Sequence, residues 1–580
     1  LIVSEELVTK LFVYFKDYTK ESILGPLFKL LEATLELFVP LVIAAIIDTG
    51  IKNGDKSFIF RMCLVLIVFG VVGLVFSITA QYYAATAAVG FTKKLKQKLF
   101  SHIQSFSFTE LDTIGTSTLI TRMTSDMNQL QTGVNLSLRL LLRSPFVVFG
   151  AMIMAFTINV KAALVFLAAI PILSVVVFGI MIWCIPLYRK VQEKLDKVLG
   201  ITRENLTGVR VIRAFSIEEN EIKDFKEKNE ELTKMQKHVG RISSLMNPVT
   251  YVIINLAVIA LVYTGAIKVE AGIITQGAVV ALYNYMSQIL VELIKLANLI
   301  INITKSVACG NRIQAVLEVE PGIKESGKTP EMINTDIIVE FKDVYLRYKN
   351  AGDDSLSDIS FKVKRGETIG IIGGTGSGKS SLVNLIPGFY DATHGAVLID
   401  GINVKEYPVE QLRKKIAVVP QKAVVFKGTV RDNIRWGNNN ASDEEIYEAL
   451  AIAQAKEMIE SKGGLDFEIE QGGRNLSGGQ KQRLTIARAL IKKPEILILD
   501  DSASALDYAT DAALRKSIRE MQHKPTVFVV SQRTSSIQYA DNIIVMDDGK
   551  IAGTGKHEVL MQSCQVYRET YDSQFKKEGA

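Results

Sequence analysis

The run GGTGSGKSS, Gly373 to Ser381, decides how the C-terminal half of this 580-residue chain folds. Gly373, Gly378, Lys379 and Ser380 fall on the pattern G-x-x-x-x-G-K-[ST]. ETIGIIG before it is rich in β-formers, and SSLVNLI after it opens a helix. A glycine-rich turn between strand and helix lets the backbone curl. Successive N–H groups of Gly374, Thr375, Gly376 and Ser377 then point inward at phosphate oxygens. The helix start at Lys379 to Ser381 adds its dipole. Lys379 is expected to neutralise the β- and γ-phosphates of ATP, and the Ser380 hydroxyl to bind Mg²⁺. Further on, EILILD reads as a buried strand ending in Asp500. An acid at that place holds Mg²⁺ through a water.

Outward from this cradle the composition changes. The chain is 48% apolar although 22% of it is charged. The two are segregated: residues 1–304 hold almost all the long apolar runs, and residues 336–580 read as a soluble α/β domain. Six runs meet the length for crossing a bilayer, roughly 20 apolar residues each. They lie near 24–48, 59–86, 138–160, 162–186, 246–268 and 276–303. The spacers after the second and fourth runs, about 51 and 59 residues long, keep helical periodicity with charge on one face. The spanning helices are therefore expected to continue as stalks of roughly 35–40 Å, meeting at turns such as GTSTLITRMTSD. The spacer 187–244 carries thirteen Lys and Arg, and 87–137 a further cluster, while the other connections are short and carry one or two each. That bias puts the stalks, both termini and the α/β domain on the cytoplasmic side. Residues 305–335, with Pro321 and Pro330, read as a linker. A net charge of +6 gives no support to nucleic acid as a partner. The four scattered cysteines form no metal spacing and no disulfide framework.

The run NLSGGQKQRLTIARAL, residues 475–490, adds a second glycine-rich lead into a helix. With this run in place the whole chain resembles the ABC transporter family. Its six spans with long inner stalks are similar to bacterial exporter half-transporters of type IV architecture. The fold implied is an all-α six-helix transmembrane domain with cytoplasmic extensions, then an α/β P-loop nucleotide-binding domain with a helical signature subdomain. Leu476, Ser477, Gly478, Gly479 and Gln480 look like the family signature, which closes over the ATP of a partner domain. Tyr348 looks like the aromatic on which adenine stacks; a core strand tyrosine is the other reading. Gln421 resembles the glutamine that touches Mg²⁺ and the attacking water. Ser504, Ala505, Leu506 and Asp507 resemble the loop at the dimer seam.

Two positions depart from the family. Asp501 stands where a hydrolytically competent member has glutamate, and Gln532 where it has histidine. Aspartate is one methylene shorter, about 1.5 Å of reach, and a misplacement near 1 Å can cost about 10²-fold in rate. Glutamine hydrogen-bonds but cannot carry the proton or positive charge that a histidine can. The resemblance thus implies the degenerate-site half of a heterodimeric, multidrug-type exporter in the bacterial cell membrane. Its substrate would be hydrophobic or amphipathic, with peptide or lipid as alternatives. A homodimer of slow turnover and a nucleotide-gated channel or regulatory subunit are the competing readings. Glu32 and Glu36, one turn apart on the first spanning helix, are candidates for a cationic substrate, unless they pair with Lys29 or an arginine. Glu292 and Lys295 are expected to pair. Arg139 and Arg143 are expected to snorkel to the headgroups.

Overall fold

The computed structural model describes residues 10–322, 336–349 and 351–575. Residues 323–335 of the expected linker therefore lie outside the described residues. The chain forms two compact units, Leu1–Ile103 with Ser117–Val319, and Gln104–Thr116 with Glu320–Ala580.

The first unit is helical: α1 (Thr19–Ala45), α2 (Lys56–Gln104), α4 (Met127–Leu140), α5 (Arg143–Ile158), α6 (Val160–Thr207), α7 (Glu218–Ser244), α8 (Met246–Glu270) and α9 (Gln276–Leu317). Among the described residues, six helical stretches are long and apolar enough to cross a membrane. Helices α2 and α6 run unbroken for 49 and 48 residues, so span and stalk are one rod, as the periodicity predicts. Along α2, Ile67, Val71, Leu74 and Ile78 are all more than half exposed. Soluble proteins do not leave so long an apolar stripe to water. Many of the buried positions in this unit are small: Ala33, Ala84, Ala151, Ala155, Ala162 and Ala163. Without side-chain bulk the backbones approach closely and gain dispersion contacts that lipid cannot supply.

The stalk turn departs from the sequence reading. Thr116–Thr121 and Arg122–Asp126 of GTSTLITRMTSD are helical. Their hydroxyls donate to carbonyls one turn back, as Thr121 does to Ser117 at 2.9 Å, and so do not break the helix. The break falls earlier. Ser107 and Glu110 form a reciprocal capping box that starts α3 (Phe108–Ile114), and Gly115, at φ +81°, ends it. The signal was present as S-x-x-E. Segment 104–116 belongs to the second compact unit, where the Phe108 and Phe389 rings lie 4.5 Å apart and Tyr390 donates to Asp112 at 2.5 Å.

The rest of the second unit has two main sheets. β1 (Ile337–Leu346), β2 (Leu356–Lys364), β4 (His394–Ile399) and β5 (Ile402–Asn403) form an antiparallel sheet in the order β2-β1-β4-β5. β3 (Thr368–Gly373), β6 (Ile416–Val419), β7 (Ile496–Asp500), β8 (Thr526–Val530), β9 (Asn542–Asp547) and β10 (Lys550–Gly555) form a six-stranded sheet. Its order is β10-β9-β3-β8-β7-β6, parallel except for β10 at the edge. Strands β7 and β8 are buried at every position, which is why they read as continuous apolar runs without alternation. Each fully buried side chain such as Phe528 or Ile498 contributes roughly 1.5–3 kcal/mol. Because β8 lies between β3 and β7, the C-terminal ends of all three strands open on one crevice, the usual ligand position in a parallel sheet.

Candidate nucleotide site

That crevice is a cleft of about 430 Å³, lined among others by Thr375, Gly376, Gly378, Lys379, Ser380, Ser381, Gln421, Asp500, Asp501 and Gln532. The loop after β3 turns into α10 (Lys379–Leu385) through Gly378, at φ +92°. A Cβ there would stand 2.8 Å from a Leu356 methyl, so only glycine fits. The Lys379 ammonium, nearly buried, donates to the carbonyls of Gly373 at 2.9 Å and Gly374 at 2.6 Å. Burial lowers its pKa, with Asp501 and Asp500 pulling it back up. From α10, Ser380 Oγ donates to Asp500 Oδ1 at 3.0 Å. A hydroxyl beside a carboxylate is a hard oxygen set suited to Mg²⁺. Burial pushes the Asp500 carboxyl up, opposed by the Ser380 hydrogen bond.

Asp501 follows at φ +46°, a conformation that aspartate tolerates better than most side chains. Its N–H donates to Val530 O at 3.0 Å, and its Oδ2 accepts from Gln421 Nε2 at 3.3 Å. Burial raises its pKa, opposed by Gln421, Lys379 and Arg533. Gln532, after β8, is exposed at the cleft wall. Tyr348 borders a neighbouring cavity of about 630 Å³ and is not in the lining of the 430 Å³ cleft. Its hydroxyl donates to Ser381 Oγ at 2.9 Å, and its ring meets Tyr390 edge-on at 5.0 Å.

Residues 476–480 also lie outside the lining of this cleft. Ser477 caps α11 (Gly478–Leu490), its hydroxyl accepting from Gln480 N–H at 3.3 Å while Ser477 N–H donates back to the Gln480 side chain at 3.0 Å. A Cβ on Gly479 would come within 2.9 Å of the Ala505 carbonyl, so the signature and the loop Ser504–Asp507 are in close approach. Sequence reasoning missed Arg533, whose guanidinium donates to Leu506 O and Ser504 O, each at 3.2 Å.

The geometry combines a phosphate loop, an adjoining acid and hydroxyl, and a second glycine-led helix. Two family models match the chain: ABC transporter transmembrane region over residues 22–293, and ABC transporter over residues 356–504. The uncharacterized ABC transporter ATP-binding protein YfiB of Bacillus subtilis is 36% identical over 568 residues, covering 98% of each chain. The chain belongs to the ABC transporter family. It is a multi-pass membrane protein of the ABC exporter type, with an ATPase domain that binds nucleotide and drives transport. Among its relatives is YgaD of Bacillus subtilis, named for multidrug export, 32% identical over 578 residues and 97% of each chain. A solved bacterial Atm1-family ABC exporter with ATP bound matches at TM-score 0.81, covering 97% of this chain and 99% of that one. At 22% identity this last likeness is one of fold alone.

In the membrane unit of this ABC exporter the acids of the first spanning helix are both paired. Lys29 donates to both Glu32 oxygens, at 2.8 and 2.6 Å, and both side chains are nearly buried. Glu36 is 44% exposed and accepts from Arg143 at 2.6 Å. Arg143 does not snorkel. Its side chain is 7% exposed, and its other arm donates to Glu292 at 2.7 Å. Glu292 also accepts from Lys295 at 2.9 Å, as the spacing predicts, and from Ser144 at 2.9 Å. Two carboxylates on two other helices hold the guanidinium more strongly than a distant headgroup. Arg143→Ala is expected to lower the thermal midpoint of the detergent-purified protein sharply. It takes one charged hydrogen bond from buried Glu292, which keeps only Lys295 and Ser144, a loss of about 1.5–3 kcal/mol. Lys295→Ala, at a 44% exposed side chain, is expected to shift the midpoint little.

Proposed function

We propose that this chain is one half of a heterodimeric exporter of hydrophobic or amphipathic substrates. Its own cleft holds ATP with Mg²⁺ and hydrolyses it slowly, while its signature completes the partner's active site. The observation that carries this reading is the pairing of Asp501 and Gln532 with an otherwise complete cradle. Lys379 and the loop N–H groups of Gly373 to Ser381 would grip the phosphates. Ser380, Asp500 and Gln421 would hold Mg²⁺, and Tyr348 would meet the base. Asp501 is held by Gln421, and Gln532 cannot take up a proton, so the water would be neither aligned nor relieved of its proton. Ser477 to Gln480 and the loop Ser504 to Asp507 would serve the opposite seam. Residues 1–304 would form the membrane domain, 305–335 the linker and 336–580 the nucleotide domain. The lysine-rich stalks support a cytoplasmic position for that last domain. Of the first-helix acids, Glu36 is the more available to a cationic substrate, since Glu32 is fully engaged by Lys29.

The test is to purify the chain alone and with a second half-transporter carrying glutamate and histidine at the matching positions. Alone it should hydrolyse ATP slowly; paired, vesicles should accumulate labelled substrate against a gradient. Brisk hydrolysis by the chain alone would point instead to a homodimeric pump. Pairing without accumulation would point to a channel or regulatory subunit.

A further inference from the structure

We infer that Gln574, on the C-terminal helix α12 (Gln565–Phe575), is a positioning residue for Gln532 and so for the γ-phosphate end of the cleft. Its carboxamide reads three groups of the switch segment at once. Gln574 Nε2 donates to the Gln532 carbonyl at 2.8 Å. Its Oε1 accepts from the Thr534 N–H and the Thr534 hydroxyl, both at 2.9 Å. Donor and acceptor of one planar amide therefore fix the backbone on both sides of Arg533. Arg533 itself is held to the carbonyls of Ser504 and Leu506. With its backbone pinned from two directions, the Gln532 side chain is left with rotamer freedom but a fixed origin at the cleft wall.

The helix that carries Gln574 is well seated. Tyr567 is fully buried, with its hydroxyl 2.8 Å from His557 Nδ1. The Tyr571 ring packs on His557 at 5.3 Å and on Phe575 at 4.6 Å. Thr534 is itself fully buried, so its N–H and hydroxyl have no water to turn to when Gln574 is lost. Helix α12 is thereby tied to nucleotide retention through Gln574.

This inference rests on the reading of the cleft as an ATP site, not on the identity of the partner. The test uses the assembled full-length protein and a radiolabelled azido-ATP with Mg²⁺. Label is loaded, chased with unlabelled ATP, and irradiated at intervals; what remains on this chain gives the release rate. Gln574→Ala is expected to release nucleotide roughly three- to tenfold faster, the worth of one or two hydrogen bonds. Gln574→Glu keeps the acceptor for Thr534 but loses the donor to Gln532. It should release as fast as the alanine variant while keeping the wild-type thermal midpoint. In a Gln532→Ala background, Gln574→Ala should change release no further, because the path runs through Gln532. Unchanged release in Gln574→Ala, or an equal acceleration in the Gln532→Ala background, would overturn the inference. Absence of label on the wild-type chain would overturn the nucleotide reading and this inference with it.

Discussion

Ser477→Gly is expected to cut the assembly's ATP hydrolysis by about 10²-fold or more, the usual loss of one transition-state hydrogen-bond donor. Asp501→Ala should leave that hydrolysis nearly unchanged. The glycine variant is chosen because Ser477 has two roles. As N-cap of α11 its oxygen accepts from Gln480 N–H. Glycine at an N-cap costs only a few tenths of a kcal/mol, so the helix start survives. The helix is also anchored by Leu484, Ile486 and Ala487, all fully buried. What glycine removes is the O–H that, in the proposed assembly, would donate to a γ-phosphate oxygen across the dimer seam. In the proposed assembly Asp501 would serve only the slow cleft, so its loss would have little turnover to remove. ATPase assays on the two paired assemblies check both halves of the contrast. Equal losses from the two variants would mean that both seams turn over alike.

Restoring glutamate and histidine together, as Asp501→Glu with Gln532→His, is expected to raise hydrolysis in this chain's cleft by roughly 10²-fold. The Asp501 backbone has no means of making up the missing reach. Its N–H is fixed to Val530 and its carboxylate is drawn to Gln421 at 3.3 Å. Glutamate adds the methylene, about 1.5 Å, that brings an oxygen up to the water. The residue sits at φ +46°, so glutamate pays a local cost of roughly 1 kcal/mol, which the buried strand β7 can absorb. Histidine at 532 replaces an exposed side chain on a backbone held through Gln574, so it should fold without disturbance and supply a group that holds and releases a proton. Each single substitution should give much less than the pair, because water alignment and proton handling act in one step. Single-turnover ADP formation on this chain measures it.

Much of this was legible in the sequence because the signals are local. The G-x-x-x-x-G-K-S run between a strand and a helix specifies its own turn, and β7 and β8 announce themselves as uninterrupted apolar runs. The capping residues Ser477 and Gln480 sit three apart, so their geometry follows from spacing alone. What the sequence hid was long-range. Arg143 looked like a headgroup-seeking arginine because nothing in its neighbourhood reveals Glu36, 107 residues away, or Glu292, 149 away. Gln574 stands 42 residues from the carbonyl it holds. The stalk turn was misplaced for a different reason. Serine and threonine suggest a turn, yet here they donate to their own helix, while the S-x-x-E cap at Ser107 and Glu110 set the real boundary.

The most direct test of the central claim is the fate of radiolabelled ATP loaded into both clefts of the assembled pair and recovered separately from each chain. The nucleotide on this chain should remain ATP through many turnovers of its neighbour. Conversion to ADP at the same rate on both chains would contradict the account.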